Sequence, residues 1–237
     1  MTADQRSNAQ LYFWRLDQSQ ESTEQAARSL SADEAARADR FVYDRDRVRY
    51  INGRSHLRTL LGRWIGADAR KVQFDYGQNG KPVLANGPFF NLSHTNDIAC
   101  LAIHPEKNLG VDIEHIKPIE TGVADRFFST AEVAELNALP TSQWPQGFFR
   151  CWTRKEAVVK QIGEGLSFPL ADFSVSLSPS EPALMRHVHP RLGAASDWAL
   201  FHLDLGPDTV GAVAIKDADE PMPDIVECPD DLLVSVS

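Results

Sequence analysis

The chain has 237 residues, 43% of them hydrophobic, and a formal net charge of −9. That is enough apolar material for a core, but no apolar run approaches the ~20 residues of a membrane span. The acidic balance argues against a general nucleic-acid binder.

Residues 1–10 are polar and lack the apolar centre of a signal peptide. Cys100, Cys151 and Cys228 are odd in number and have no CxxC spacing, which predicts reduced thiols in a cytoplasmic protein. Residues 11–16 read as a strand. Ser31-Ala32-Asp33-Glu34 matches a capping box, with Ser31 as N-cap and Glu34 reaching back to its amide. A long helix is predicted over residues 46–65, its apolar stripe running through Val48, Ile51, Leu57, Leu60, Leu61 and Trp64. Between positions 37 and 71, ten Lys or Arg stand against four Asp, a net of +6. Such a stripe on an acidic chain is either a solvated helix face or a site for an anionic ligand or acidic partner. Gly77-Gln78-Asn79-Gly80 is a turn, and three strands follow at residues 89–92, 98–104 and 109–114.

The second half repeats this order. Arg126-Phe127-Phe128 echoes Arg40-Phe41-Val42, and Ser129-Thr130-Ala131-Glu132 is a second capping box, opening a helix that ends near Pro140. Another helix is predicted over 148–162, then strands at 172–177, 198–205 and 209–215. The reading is an α+β chain of two similar halves, residues 1–108 and 109–216, followed by a loosely attached acidic tail at 217–237.

Chemistry concentrates at two places. In Gly110-Val111-Asp112-Ile113-Glu114, strand alternation puts Val111 and Ile113 on one face, and Asp112 and Glu114 on the other, with Gly110 leaving room beside them. Carboxylates that close repel each other unless a cation intervenes; the plainer alternative is an acidic solvent face. In Trp152-Thr153-Arg154-Lys155-Glu156, helical spacing puts Glu156 between Lys155 and Lys160. Its plainer explanation is a Glu156–Lys160 i, i+4 ion pair. Three carboxylates near lysines suit Mg²⁺ and a phosphate-bearing substrate. Ser93 and His94 lie where a strand ends, and Lys81 lies on a turn. No GxxxxGK[ST] loop is present, which counts against a P-loop kinase or hydrolase.

Four blocks in order, Asn79-Gly80-Lys81-Pro82, Phe90-Asn91-Leu92-Ser93-His94, Gly110 to Glu114, and Trp152 to Ala157 with Lys160, resemble the surfactin-type (Sfp-type) 4'-phosphopantetheinyl transferase family. Arg126-Phe127-Phe128-Ser129 and Gly165-Leu166-Ser167 agree, and the match spans residues 31–215. The resemblance implies a monomer of two pseudo-twofold-related α+β halves. Such a protein moves phosphopantetheine from coenzyme A to a serine of an acyl or peptidyl carrier protein. A non-catalytic coenzyme A-binding protein of the same fold is the alternative.

By the same resemblance Asp112, Glu114 and Glu156 would hold Mg²⁺, and Lys160 would neutralise phosphate charge. Glu156 or Glu132 would take the serine proton. Arg37, Arg49, Lys81, Ser93, His94 and Lys155 would contact coenzyme A. Some relatives carry a lysine where this chain has Glu34.

Overall fold

The computed structural model describes residues 7–77, 80–120 and 122–226. Gln78 and Asn79 of the predicted turn, Cys228 and the end of the acidic stretch lie outside them. Strand β1 (Gln10–Arg15) leads to helices α1 (Gln20–Ala27), α2 (Ala32–Ala38) and α3 (Asp44–Ile65), and to a short hairpin, β2 (Asp75–Tyr76) and β3 (Pro82–Val83). Then come β4 (Phe89–Thr95), β5 (Ile98–His104) and β6 (Leu109–His115). The second half supplies α4 (Gly122–Phe127), α5 (Thr130–Ala138), α6 (Trp144–Ile162), β7 (Ser174–Val175), β8 (Met185–His187), β9 (Ala199–Asp204), β10 (Thr209–Ile215) and β11 (Asp224–Ile225). Helix α6 begins four residues before its predicted start because Pro145 is accommodated in its first turn. The strand predicted at 172–177 shrinks to β7, which pairs with β8.

Two sheets form the centre, one in the order β11-β1-β5-β4 and the other β6-β10-β9. Alternation along β1 sends Tyr12 and Trp14 toward Leu57, Leu60 and Leu61 of α3. Leu11 and Phe13 point the other way, into a cluster with Val111, Ile113 and Val213. The sheets therefore pack face to face between two long outer helices. On the second sheet's far face, Ala212 and Ala214 of β10 join Ala157 and Val158 of α6 in the largest apolar cluster. Each fully buried Val, Leu, Ile or Phe side chain in these clusters contributes about 1.5–3 kcal/mol.

The sheets are also joined edge to edge by side chains. Asn91 Oδ1 accepts the Val111 N–H at 2.9 Å, Ser93 Oγ the Ile113 N–H at 3.2 Å, and Thr95 Oγ1 the His115 N–H at 3.0 Å. Alternate polar residues of β4 thus satisfy the exposed edge of β6, which would otherwise bury unpaired donors.

The two capping-box glutamates do more than cap. Glu34 accepts the Ser31 N–H at 3.0 Å and also binds Arg54 and Arg58 of α3, each at 2.5 Å. Glu132 likewise accepts the Ser129 N–H at 2.8 Å and binds Lys155 of α6 at 2.8 Å. In both halves a short helix is thereby tied to a buried cation on the long helix that follows. Burial pushes the Glu34 pKa up, but the hydrogen bonds from Arg58 and Ser31 and the Arg54 charge outweigh it, and the net shift is downward. A lowered folded pKa contributes stability above the ordinary carboxyl value, lost as pH falls through the folded one. Glu34→Ala strands the buried Arg58 and is expected to cost about 3–5 kcal/mol at pH 7. Urea denaturation checks this, and the deficit should shrink below pH 4.

The acidic stretch read as loosely attached is fastened over its described part. Strand β11 pairs in parallel with β1. Glu220 is buried against His104 at 3.2 Å and Lys107 at 2.6 Å, and Asp217 also binds Lys107. The carboxylates that make this segment look like a solvated tail are its anchors. Among the described residues no helix is long and apolar enough to cross a membrane.

Candidate active site

Helix α6 lies against β6 at Gly110. A Cβ there would stand 2.0 Å from the Ala157 carbonyl oxygen and 2.5 Å from the Gln161 nitrogen. The room Gly110 leaves is therefore taken by helix backbone, not by a ligand. This close approach sets Glu156 and Lys160 of α6 over Asp112 and Glu114 of β6. Asp112 is 4% exposed. Its Oδ1 accepts from Lys160 Nζ at 2.6 Å and Ser93 Oγ at 3.0 Å, and Lys160 also donates to Ser93 at 3.1 Å. Thr95 Oγ1 lies 3.5 Å from Glu114 Oε2.

The three carboxylates feel one another. Burial, then repulsion from Asp112 and Glu114, pushes Glu156 up to about 7 against the pull of Lys160. Burial and then Asp112 raise Glu114. Burial raises Asp112 despite Lys160 and Ser93. Asp112 Oδ2 and Glu156 Oε1 are buried with no hydrogen-bond partner. Among the described residues no three such side chains are closed to metal-binding distance. Lys160 bonds Asp112 and Lys117 acts on Glu114 through its charge, so two ammonium groups face three carboxylates and the cluster is short of positive charge.

A cleft of about 890 Å³ opens beside this cluster, walled by α2, α3 and β4. Arg37, Arg40, Arg49, His94 and Lys117 line it, as does Thr95, which links it to Glu114. The Arg37 guanidinium lies 5.2 Å from the Tyr50 ring, a cation–π contact. Arg49 is held by Asp17 through two bonds of 2.7 and 2.8 Å. Burial and the Lys160 charge push the His94 pKa down, which favours the neutral imidazole.

Residues expected to act together are thus partly separated. Asp112, Glu114, Glu156 and Lys160 converge, and Arg37, Arg49 and His94 lie on the cleft wall. Ser93 sits inside the carboxylate cluster, 4% exposed, instead of facing a nucleotide. Lys155 is fully buried, donating to the Leu170 and Phe173 carbonyls at 2.7 and 2.5 Å. It does not line the cleft. Glu132, 1% exposed, is spent on Ser129, Lys155 and the Val175 N–H, the partners of a structural anchor. Lys81 turns from the cleft toward the Lys160 carbonyl at 2.8 Å, Asn108 at 3.1 Å and the Leu109 carbonyl at 3.3 Å. Burial and Lys160 bring its pKa down to about 8. Asn91, Thr95, Tyr50, Asn108 and Lys117 were not singled out from sequence. Only the alternation Asn91, Ser93, Thr95 signals its role in advance.

Residues 108–215 match the 4'-phosphopantetheinyl transferase superfamily, and residues 14–106 match the description 4'-phosphopantetheinyl transferase, N-terminal. The 4'-phosphopantetheinyl transferase HetI of Nostoc sp. is 37% identical over 215 residues, 87% of each chain. The chain belongs to the 4'-phosphopantetheinyl transferase superfamily. Bacillus subtilis 4'-phosphopantetheinyl transferase Sfp is 34% identical over 67% of this chain and 71% of its own. The holo-[acyl-carrier-protein] synthase structure from Thermotoga maritima covers 46% of this chain and 62% of its own, at 13% identity and a TM-score of 0.37. As a phosphopantetheinyl transferase, the chain needs a site that holds phosphates and compensates their charge. The cleft and the carboxylate cluster are where its residues offer one.

Proposed function

We propose that this chain transfers 4'-phosphopantetheine from coenzyme A to a serine of an acyl or peptidyl carrier protein, with Mg²⁺ held by Asp112, Glu114 and Glu156. What carries this reading is the cluster of three crowded carboxylates, two with orphaned buried oxygens, joined through Thr95 to a basic cleft. Hard oxygen donors with unmet charge fit a divalent cation. When bound, that cation would neutralise the carboxylates and polarise a phosphoryl oxygen.

The chain's own residues do the positioning. Arg37, Arg40 and Lys117 offer charge to the phosphates along the cleft. Lys160 stands next to the cluster, where charge grows on the leaving phosphate. The serine Oγ attacks the phosphorus that carries pantetheine, and the bridging P–O bond breaks. Adenosine 3',5'-bisphosphate leaves with the electron pair. Glu156 accepts the serine proton; its pKa of about 7 belongs to the metal-free cluster, and a cation among the carboxylates would lower it. Cys100 and Cys151 are both buried, each among the residues of an apolar core, which agrees with a reducing cytoplasm.

The test uses purified protein, coenzyme A and apo carrier proteins of fatty-acid, polyketide and peptide types, weighed by intact mass spectrometry. The expected result is a gain of one phosphopantetheine that EDTA abolishes. Tight coenzyme A binding with no gain on any carrier would point to a binding protein instead.

A further inference from the structure

The last carbonyls of an α-helix have no partner inside it and need one elsewhere. At the end of α6 the Val159 carbonyl takes the Gly163 N–H at 3.0 Å, where Gly163 turns left-handed at φ 78°. The next two carbonyls are capped from outside the helix. Lys160 O accepts from Lys81 Nζ at 2.8 Å, and Gln161 O accepts from Asn108 Nδ2. Lys81 also bonds Asn108 Oδ1 at 3.1 Å and Leu109 O at 3.3 Å, while Gln161 Nε2 returns to Asn108 O at 3.4 Å. A cation at this end also complements the helix dipole. The turn so fastened is the one whose side chain, Lys160, reaches Asp112 and Ser93. Gly80 and Pro82, on either side of Lys81, line the basic cleft.

We infer that Lys81, with Asn108, is a positioning residue: it caps the catalytic helix from the N-terminal half and fixes Lys160 and Glu156 over Asp112. The inference rests on the transfer reaction proposed above. It gives Lys81 a role away from the bound substrate.

Lys81→Met, Lys81→Arg and Asn108→Ala are compared with wild type by steady-state carrier loading and by amide hydrogen exchange of residues 157–163. In Lys81→Met we expect kcat to fall about 10- to 100-fold, the scale of an ångström-level misplacement. KM for coenzyme A should stay within about threefold, and exchange in the last turn should quicken about tenfold while residues 146–152 are unchanged. Lys81→Arg restores donors and should recover most of kcat. Lys81→Met combined with Asn108→Ala should cost less than the product of the two single effects. Unchanged kcat with a raised KM would overturn the inference, since Lys81 would then be a coenzyme A contact. Unchanged exchange in the last turn would overturn it too, whether or not wild type loads a carrier. Absence of loading by wild type, with faster exchange in Lys81→Met, would instead reject the proposed reaction and leave the cap standing.

Discussion

Gly110→Ala should reduce carrier loading by at least about a hundredfold. The added methyl would sit 2.0 Å from the Ala157 carbonyl and 2.5 Å from the Gln161 nitrogen, both helix backbone. No side-chain rotation relieves such a collision, so α6 must lift from β6 by an ångström or more. Glu156 and Lys160 travel with it and leave Asp112. Overpacking of this kind costs about 1–3 kcal/mol, occasionally more, while misplacing reacting groups by an ångström costs about a hundredfold in rate. The variant should therefore fold, melt lower and be nearly inactive. Thermal denaturation together with intact-mass loading checks both parts. A variant with wild-type loading would show that α6 and β6 are not in the register described.

Glu156→Gln should separate stability from activity. Its carboxyl has a folded pKa of about 7, above the ordinary 4.5, raised by burial and then by Asp112 and Glu114. A carboxyl so raised holds its proton in the folded state after the unfolded chain has lost it. Stability therefore falls as pH rises from about 4.5 to about 7 and stays lowered above. The upward shifts of Asp112 and Glu114 act in the same direction. In EDTA at pH 8, Glu156→Gln should be more stable than wild type by roughly 1–3 kcal/mol, with little difference at pH 4.5. Added Mg²⁺ should stabilise wild type more than the variant. Loading by the variant should fall about a thousandfold, the consequence of losing ~4 kcal/mol of charge stabilisation. Guanidinium melts at both pH values are the check, and a variant less stable than wild type at pH 8 in EDTA would contradict it.

Much of this arrangement is legible in the amino-acid sequence. The period-2 pattern of Gly110 to Glu114 put Val111 and Ile113 in the core and both carboxylates on one face, because β6 is buried on one side by a sheet and on the other by a helix. The capping boxes at Ser31 and Ser129 marked two helix starts correctly. Local pattern could not reveal what Glu34 and Glu132 reach across space, since Arg58 and Lys155 lie over twenty residues away. Lys155 therefore looked as available as Lys160, although one turn of helix separates a buried anchor from a residue beside the cluster. Lys81 shows a related limit: a turn lysine is normally solvated, and only tertiary packing brings it to the end of α6. Acidity misled at residues 217–226, where Asp217 and Glu220 find Lys107 and His104 and close the edge of β1 with β11.

The most direct test of the central claim is a crystal of the protein with coenzyme A and Mn²⁺, read by anomalous difference density. The account predicts one strong peak contacted by Asp112, Glu114 and Glu156 and by a phosphate oxygen, with Lys160 Nζ drawn off Asp112 toward the phosphates. Coenzyme A bound in the cleft with no peak among these carboxylates, and Lys160 still on Asp112, would contradict it.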